Sequence, residues 1–395
     1  MDIESIKFDK YMDSIYTIII MITRIYNNIK YLIKPQKVIV IVGARRVGKT
    51  TLLKHLLSQT KLKCKLDSGD NIRTQQVLSS QDFSQINSYV EGYNIIAIDE
   101  AQQIPNIGMG LKIIVDQNPN IYVFATGSSS FDLTNKIGEP LTGRKKTIIL
   151  YPISQIELLL DKNKFDLKEQ LEEFLIFGSY PETITAKRHK EKIDILEELV
   201  NSYLLKDILS LEKVKSTKIL LDLLKLLAFQ IGQEVSLNEL ATQLSIDVKT
   251  VNRYLDLLEK TFVIIRIGGF SRNLRKEILS KQKYYFIDNG IRNAVISQFN
   301  PLDSRNDIGQ LWENFVVSER IKKRSNKNIY GSQYFWRTYD KQEIDIIEER
   351  DGKLYGYECK WSIKKKTKAP KYWLTNYKNS SFDVITPNNY LDFTT

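Results

Sequence analysis

The sequence VIVIVGARRVGKT, residues 38–50, joins five β-branched residues to a loop framed by Gly43 and Gly48. The apolar run predicts a buried strand, and a glycine-framed loop between a strand and a helix is the pattern that binds nucleoside triphosphates. We expect the loop amides and the first turn of the next helix to hold the phosphates. Lys49 would reach the β- and γ-phosphates, and the Thr50 hydroxyl would ligate magnesium. The predicted ATP-binding residues are Gly43, Ala44, Arg45, Arg46, Val47, Gly48, Lys49, Thr50 and Thr51.

A second apolar strand, residues 93–100, ends in the carboxylates Asp99 and Glu100. In a nucleotide-hydrolysing site these two groups have separate tasks. Asp99 would hold the magnesium ion through water or through the Thr50 hydroxyl, and Glu100 would polarise the attacking water. Asp-Glu at a strand end is a weak signal alone, but together with the loop it predicts hydrolysis as well as binding.

Two further positions complete the predicted ATPase site. Residues 121–126 form a third apolar strand, and Ser128 just after it is expected to orient the water, with Thr126 as the alternative and a plain serine-rich turn as the other interpretation. Arg144 is the guanidinium best placed to stabilise charge on the transferred phosphoryl group, either in the same chain or from a neighbouring subunit. The second option implies self-association, and a solvated arginine is the alternative to both.

These motifs resemble, in order and spacing, a family of prokaryotic AAA-type ATPases that carry a C-terminal domain of unknown function. The resemblance implies an α/β core of parallel strands, magnesium-dependent ATP hydrolysis, Ser128 as sensor and Arg144 as finger. The family usually has glycine at the position of Ser179. The segments that carry the resemblance are GARRVGKTT (43–51), IIAIDEAQ (95–102), FATGSSSF (124–131), LTGRKKTIILYPIS (141–154), FGSYPE (177–182) and YLLKDI (203–208).

Composition limits the other possibilities. With 395 residues the chain is expected to hold two or three domains. Two cysteines and two histidines exclude a disulfide framework, a four-thiolate zinc site and a histidine-rich metal site, so a reducing cytoplasm is expected. The apolar segment 15–22 is too short to cross a bilayer, and we expect a buried helix there and no membrane partner. The net charge of +11 favours a polyanionic partner such as DNA, although a lysine-rich proteome would give the same charge.

Residues 218–265 predict a winged helix. Two short helical patterns, 237–244 and 248–258, are separated by a tight turn, Ser236 can cap the first of them, and the small Ala241 suits a helix crossing. A basic stretch, 266–283, would form the wing. Many winged helices are structural or bind protein, so DNA contact is one of two interpretations. The candidate DNA-contacting residues are Lys249, Thr250, Asn252, Arg253, Arg272 and Arg275.

The last ninety residues contain a second group of acids. Strand patterns at 342–347 and 354–360 join through a turn at 350–352, which would bring Asp345 close to Glu358 and Lys360. This arrangement resembles the PD-(D/E)XK nuclease pattern. Asp345 and Glu358 would bind magnesium, Glu313 would complete the coordination or act nearby, and Lys360 would steady the attacking water. A solvated hairpin, or a nuclease fold that no longer cleaves, are the alternatives.

The sequence therefore predicts an α/β chain with an AAA-type P-loop core, an all-α lid and winged-helix module, and a restriction-endonuclease-like α/β domain. The expected divisions are residues 1–155, 156–215, 216–300 and 301–395. The leading function is a Mg²⁺-dependent ATPase that acts on DNA. The alternatives are an ATPase regulator with protein partners and an inert nuclease-like domain, or a DNA-loading ATPase.

Overall fold

The computed structural model describes residues 22–127, 140–204, 216–272, 282–362 and 367–395. Several predicted features lie outside these residues. They are the expected helix at 15–22 apart from Ile22, Ser128, and the part of the basic wing that contains Arg275. Within the described residues no helix is long and apolar enough to span a membrane.

The first half of the chain is built on a five-stranded parallel sheet in the order β2-β3-β4-β1-β5. Each residue of the interior strand β1 is buried, which explains its unbroken run of valine and isoleucine, because a parallel strand covered on both faces needs apolar side chains on both. The carboxyl ends of all five strands meet at one edge. The strands are β1 (Val38–Val42), β2 (Cys64–Ser68), β3 (Ile95–Asp99), β4 (Tyr122–Gly127) and β5 (Lys145–Ile149).

Ten described helices accompany this sheet and lead away from it. The last of them continues into a π-helical turn, Leu199–Leu204. They are α1 (Ile29–Leu32), α2 (Lys49–Ser58), α3 (Ile72–Ser79), α4 (Phe83–Val90), α5 (Ile107–Gln117), α6 (Gln155–Leu158), α7 (Lys164–Glu169), α8 (Leu171–Phe177), α9 (Pro181–Thr185) and α10 (His189–Glu198).

The second half of the chain is built on a mixed seven-stranded sheet in the order β12-β11-β10-β9-β7-β8-β6. Strand β7 pairs in parallel with β9 through Gly268 opposite Tyr334, so this sheet runs without a break across the predicted division at 300/301. The division itself stays a prediction. The strands are β6 (Glu234–Val235), β7 (Ile264–Gly269), β8 (Gln282–Phe286), β9 (Ser332–Arg337), β10 (Glu343–Arg350), β11 (Lys353–Cys359) and β12 (Ser380–Ile385).

Three helices of this half, α11, α12 and α13, are capped by side chains close in sequence. Ser216, Ser236 and Asp247 each accept a hydrogen bond from a backbone N–H in the first turn of the helix that follows. The two short helices predicted between residues 237 and 258 are confirmed. The helices are α11 (Thr217–Phe229), α12 (Leu237–Leu244), α13 (Val248–Lys260), α14 (Asn289–Val295), α15 (Ile308–Asn326), α16 (Lys371–Asn376) and α17 (Tyr390–Thr394).

Candidate functional site: the phosphate loop and its surroundings

The phosphate loop connects β1 to α2 at the carboxyl edge of the parallel sheet. Gly48 has a φ of 92°, which glycine adopts without strain. A side chain at Gly43 would collide with the backbone carbonyl of Leu150, so only glycine lets the two chains approach. The Lys49 ammonium is buried and donates to the carbonyl oxygens of Gly43, at 3.0 Å, and Ala44, at 2.8 Å. Lys49 is therefore folded back over its own loop.

The acids and hydroxyls predicted for catalysis meet at the same edge. The Thr50 hydroxyl donates to Asp99 Oδ2 at 2.8 Å, and the Thr126 hydroxyl donates to Asp99 Oδ1. The backbone N–H of Glu100 donates to the Thr126 oxygen at 3.1 Å. A threonine hydroxyl and a carboxylate are oxygen donors of the kind that Mg²⁺ prefers, so Thr50 and Asp99 fit the predicted ion.

Glu100 occupies a constrained position beside these groups. Its backbone is in the left-handed region, with a φ of 50°, where residues other than glycine are uncommon. The Gln102 side-chain amide donates to its carboxylate. Both features hold the Glu100 carboxylate at the wall of the cavity that the phosphate loop borders.

Arg144 is not brought to the loop of its own chain. Its carbonyl accepts from the N–H of Val38, at the start of β1, whereas the loop leaves the other end of that strand. Five residues of strand separate the two edges by roughly 13–16 Å. The guanidinium pairs instead with Asp116 near the end of α5. The geometry does not support a role within the same chain, and a contribution from a neighbouring copy stays a prediction.

Arg24 contacts the loop and was not singled out by the sequence. It is buried, donates to the carbonyl oxygens of Val47 and, at 2.9 Å, Tyr151, and forms an ion pair with Glu157 at 3.0 Å. Burial lowers the pKa of Arg24, and Glu157 opposes that shift. A lone arginine at the end of an apolar segment belongs to no motif, so the sequence held no signal for this role.

The loop borders a cavity of about 560 Å³, a size typical of small-molecule sites. One wall comes from the loop and another from α9, whose first two residues, Pro181 and Glu182, end the segment FGSYPE. The lining includes Ile22, Arg24, Arg45, Arg46, Glu100, Ile153, Pro181, Glu182 and Thr185. The Arg46 guanidinium pairs with Glu182, another lining residue, at 2.9 Å, and with Glu198 at 3.3 Å.

The cavity wall from α9 is anchored by the second half of the chain. The buried Asp288 carboxylate accepts from the backbone N–H of Ser179 at 2.7 Å and from its hydroxyl at 3.2 Å. The buried Lys322 ammonium donates to the Ser179 oxygen at 3.0 Å and to Glu319 at 2.7 Å. Burial raises the pKa of Asp288, and the nearby Lys322 charge acts against that shift. Serine at position 179 thus supplies a hydroxyl to this network.

The predicted hairpin of the second half brings its acidic residues close together. The turn at Asp351-Gly352 places Ile346 opposite Tyr357 and Ile347 opposite Gly356, as the predicted hairpin requires. Asp345 Oδ2 accepts from the N–H of Cys359 at 2.8 Å.

The charged partner of these acids is the buried Lys283. Its ammonium lies 2.5 Å from Glu343, 3.4 Å from Glu313 and 3.9 Å from Asp345. Glu358 pairs with Lys360 at 2.7 Å. We call Glu313, Glu343, Asp345 and Glu358 the acid cluster.

The electrostatics of the acid cluster follow from burial. Burial and the Asp345 charge raise the pKa of Glu313 to about 8, and the same two causes raise that of Glu358 to about 7. Among the described residues no group of three or more His, Cys, Asp or Glu side chains is arranged to hold a metal ion. The metal role predicted for Glu313, Asp345 and Glu358 therefore finds no support in this geometry, since the Lys283 ammonium already lies among these acids.

Comparison with known proteins agrees with the geometry of the first half. Residues 35–159 match a family model described as an AAA domain, and this stretch contains the phosphate loop, Asp99 and Glu100. The match supports an AAA-type P-loop domain that binds ATP in this stretch. Residues 168–302 match "Domain of unknown function (DUF8612)" and residues 308–390 match "Domain of unknown function (DUF4143)". The similarities beyond the ATPase domain thus name no activity.

Relatives that match most of the chain also carry no named activity. An uncharacterized protein of Mycobacterium tuberculosis is 26% identical over 327 residues, which are 82% of this chain and 70% of that protein. One of Haemophilus influenzae is 26% identical over 356 residues, with 83% of each chain covered.

Two solved structures show a more distant similarity to this chain. The Walker-type ATPase of Pyrococcus abyssi matches with 16% identity and a TM-score of 0.44, covering 66% of this chain and 91% of its own. A RuvB variant of Thermotoga maritima matches with 15% identity and a TM-score of 0.30, covering 58% and 82%.

Four of the residues proposed for DNA contact lie on α13, beyond the AAA match, and Arg272 follows β7: the four are Lys249, Thr250, Asn252 and Arg253. Lys249, Arg253 and Arg272 are exposed, whereas the Thr250 hydroxyl and N–H both donate to Asp247 and serve the helix cap. Asn252 donates to Asp256 at 3.4 Å. Arg272 lies over the Tyr377 ring, 5.7 Å from its centre.

Proposed function

We propose that the chain is a Mg²⁺-dependent ATPase that uses ATP hydrolysis to control its contact with DNA. The observation that carries the hydrolytic part is the Thr50–Asp99 hydrogen bond beside the folded-back Lys49. When bound, Mg²⁺ would neutralise charge on the phosphate oxygens. Lys49 would leave its two carbonyl partners for the phosphates, and Thr50 and Asp99 would hold the ion.

Glu100 would then accept a hydrogen bond from the attacking water. Thr126 takes a supporting role in this proposal, because its hydroxyl orients Asp99 while its oxygen holds the Glu100 backbone. Ser128 stays a candidate for orienting the water. If Arg144 acts as a finger, it does so in the site of a second copy.

Measured ATP turnover tests this function. Lys49→Ala should abolish binding and turnover, whereas Glu100→Gln should retain binding and lose roughly 10²- to 10³-fold in rate, as removal of a single catalytic electrostatic contact does. Lys54→Ala, an exposed lysine on the same helix, is the matched control. Duplex DNA should alter turnover of the wild type. Unchanged turnover in Lys49→Ala would refute the ATPase site. A wild-type turnover rate that stays the same when duplex DNA is bound would refute only the control of the cycle by DNA.

The second half supports the DNA role through a helix–turn–helix pair followed by a β-hairpin. The described elements run in the order α11, β6, α12, α13, β7, β8, which is the arrangement expected of a winged helix. Exposed Lys249 and Arg253 near the start of α13 could contact phosphates. We place the DNA contact there, with Arg272 and Arg275 as further candidates.

A second candidate function is an ATPase regulator with protein partners and an inert nuclease-like domain. Lys283 favours the inert domain, because a fixed ammonium among the acids opposes the binding of a divalent cation. The wild-type chain should therefore leave duplex DNA uncut in Mg²⁺ or Mn²⁺. Metal-dependent cutting that disappears in Asp345→Ala would contradict this and establish the nuclease, with Glu358 and Lys360 as its other residues.

A further inference from the structure

Arg46 belongs to the phosphate loop and joins it to two helices outside the ATPase match, α9 and α10. Its backbone is in the left-handed region, with a φ of 60°, and its guanidinium reaches Glu182 at 2.9 Å and Glu198 at 3.3 Å. Arg46 and Glu182 both line the cavity. Both members of the Arg46–Glu182 ion pair therefore border the cavity that the phosphate loop lines.

The two carboxylates lie on elements that lead to the rest of the chain. Glu182 is on α9, directly after the Ser179 backbone that Asp288 anchors. Glu198 ends α10, from which the π-helical turn runs toward residue 204. A change in what Arg46 holds thus acts on both elements that connect the ATPase domain to the second half.

A triphosphate is a stronger partner for Arg46 than either carboxylate. The side chains of Glu182 and Glu198 are 44% and 50% exposed, and ion pairs at such exposure add little stability. Arginine binds phosphate through two parallel hydrogen bonds, and a triphosphate carries several negative charges.

We propose that Arg46 exchanges Glu182 and Glu198 for the triphosphate, and so reports occupancy of the site to α9 and α10. This rests on ATP binding at the phosphate loop. Nucleotide-free protein has α9 and α10 tied to the loop, and nucleotide-bound protein has them released. Arg46 is in this sense both a phosphate ligand and a latch.

Binding of a non-hydrolysable ATP analogue with Mg²⁺ to the full chain tests the exchange. Arg46→Met should weaken binding about tenfold or more, since a charged hydrogen bond is lost. Glu182→Gln should tighten binding about two- to fivefold, since a weak competitor is removed. The opposite signs would exclude a purely structural ion pair, which would shift both variants in one direction. Arg73→Met, an exposed arginine on α3, should leave affinity unchanged.

The double variant separates exchange from simple repulsion of the nucleotide by Glu182. If Glu182 competes for Arg46, adding Glu182→Gln to Arg46→Met should change affinity less than twofold. An undiminished gain in the double variant would mean plain charge repulsion and overturn the exchange.

Amide hydrogen exchange provides the conformational readout. The analogue should increase exchange in α9 and α10 of the wild type, and Arg46→Met should show that faster exchange without nucleotide. Analogue binding with no change in these helices would overturn the latch while leaving the ATP site intact. Failure of the wild type to bind the analogue would refute the ATP site, and the inference would fall with it.

Discussion

Lys283 shows how a single residue changes the interpretation of a motif. In the sequence it is one basic residue of an expected wing, and nothing nearby in the chain marks it as the partner of Glu313 or Glu343. Lys283 on β8 comes close to Glu343 on β10 because β7 and β9 pair in parallel between them. These two paired strands are more than sixty residues apart in the sequence. By contrast, Lys49, Thr50 and Asp99 were predictable, because each follows a strand whose carboxyl end must lie at the same sheet edge.

The raised pKa of Glu313 makes stability depend on pH. Its pKa rises from an ordinary 4.5 to about 8 in the folded protein, so between these values the folded state binds a proton that the unfolded state has lost. The stabilisation is complete below pH 4.5 and disappears as pH rises through 8. We expect the melting temperature of the wild type to fall between pH 6 and 8.5.

Glu313→Gln is the matching variant, since it is neutral and can still accept the hydrogen bond from the Tyr285 hydroxyl, which is 2.7 Å from Glu313. Its melting temperature should fall less over the same range. Glu197→Gln, which changes an exposed acid on α10, should follow the wild type. An equal fall in Glu313→Gln and wild type would show that Glu313 does not carry the effect.

At the scale of elements, capping residues and local sequence patterns predicted two helices of the second half, α12 and α13. Contacts between elements distant in the chain could not be predicted from the sequence. The bounds of α12 and α13 follow from caps within a few residues, Ser236 and Asp247. The end of α8 at Gly178 looks equally local, since glycine often ends helices. Yet Gly178 has a φ of 68°, and a Cβ there would overlap the Asp288 carboxylate, a group 110 residues later. Gly178 therefore both ends α8 and leaves room for the Asp288 carboxylate, which holds Ser179 beside the cavity wall.

Gly178→Ala tests this double requirement against Gly352→Ala. Both glycines have a φ of 68°, but a Cβ at Gly352 would meet nothing within 4 Å. Gly352→Ala should cost about 1–2 kcal/mol in urea unfolding, the backbone penalty alone. Gly178→Ala should cost at least about 2 kcal/mol more, because a buried carboxylate must move, and should also weaken ATP binding. Equal losses would mean that the Asp288 contact is unimportant.

For the whole molecule, the two-sheet architecture was only partly predictable. The parallel sheet follows from apolar strands that end in functional residues. The continuous seven-stranded sheet does not, because the sequence offers separate local patterns for a wing and a nuclease-like hairpin and no sign that their strands pair. The surface charge, in contrast, is a property of composition and can be tested directly.

The net charge of +11 and the exposed start of α13 predict salt-dependent binding to duplex DNA. Replacing both Lys249 and Arg253 by alanine should weaken binding and reduce the slope of log K against log salt by about 2, one for each lost phosphate contact. Lys225→Ala, at an exposed lysine on α11, should leave the slope unchanged. Fluorescence anisotropy over a salt series measures both. An unaltered slope in the double variant would place the DNA contact elsewhere or exclude it.

Arg24 bears on how such a chain can be divided. The AAA match begins at residue 35, yet the buried guanidinium that grips the Val47 carbonyl comes from eleven residues earlier in the chain. The helix that supplies Pro181 and Glu182 to the cavity lies beyond the match on the other side. A gene fusion limited to the matched stretch would keep the phosphate loop, Asp99 and Glu100. It would lack Arg24, which holds the loop, and α9, which forms part of the cavity wall. In this protein, the boundaries of the AAA match differ from those of the segment needed to build the complete nucleotide site.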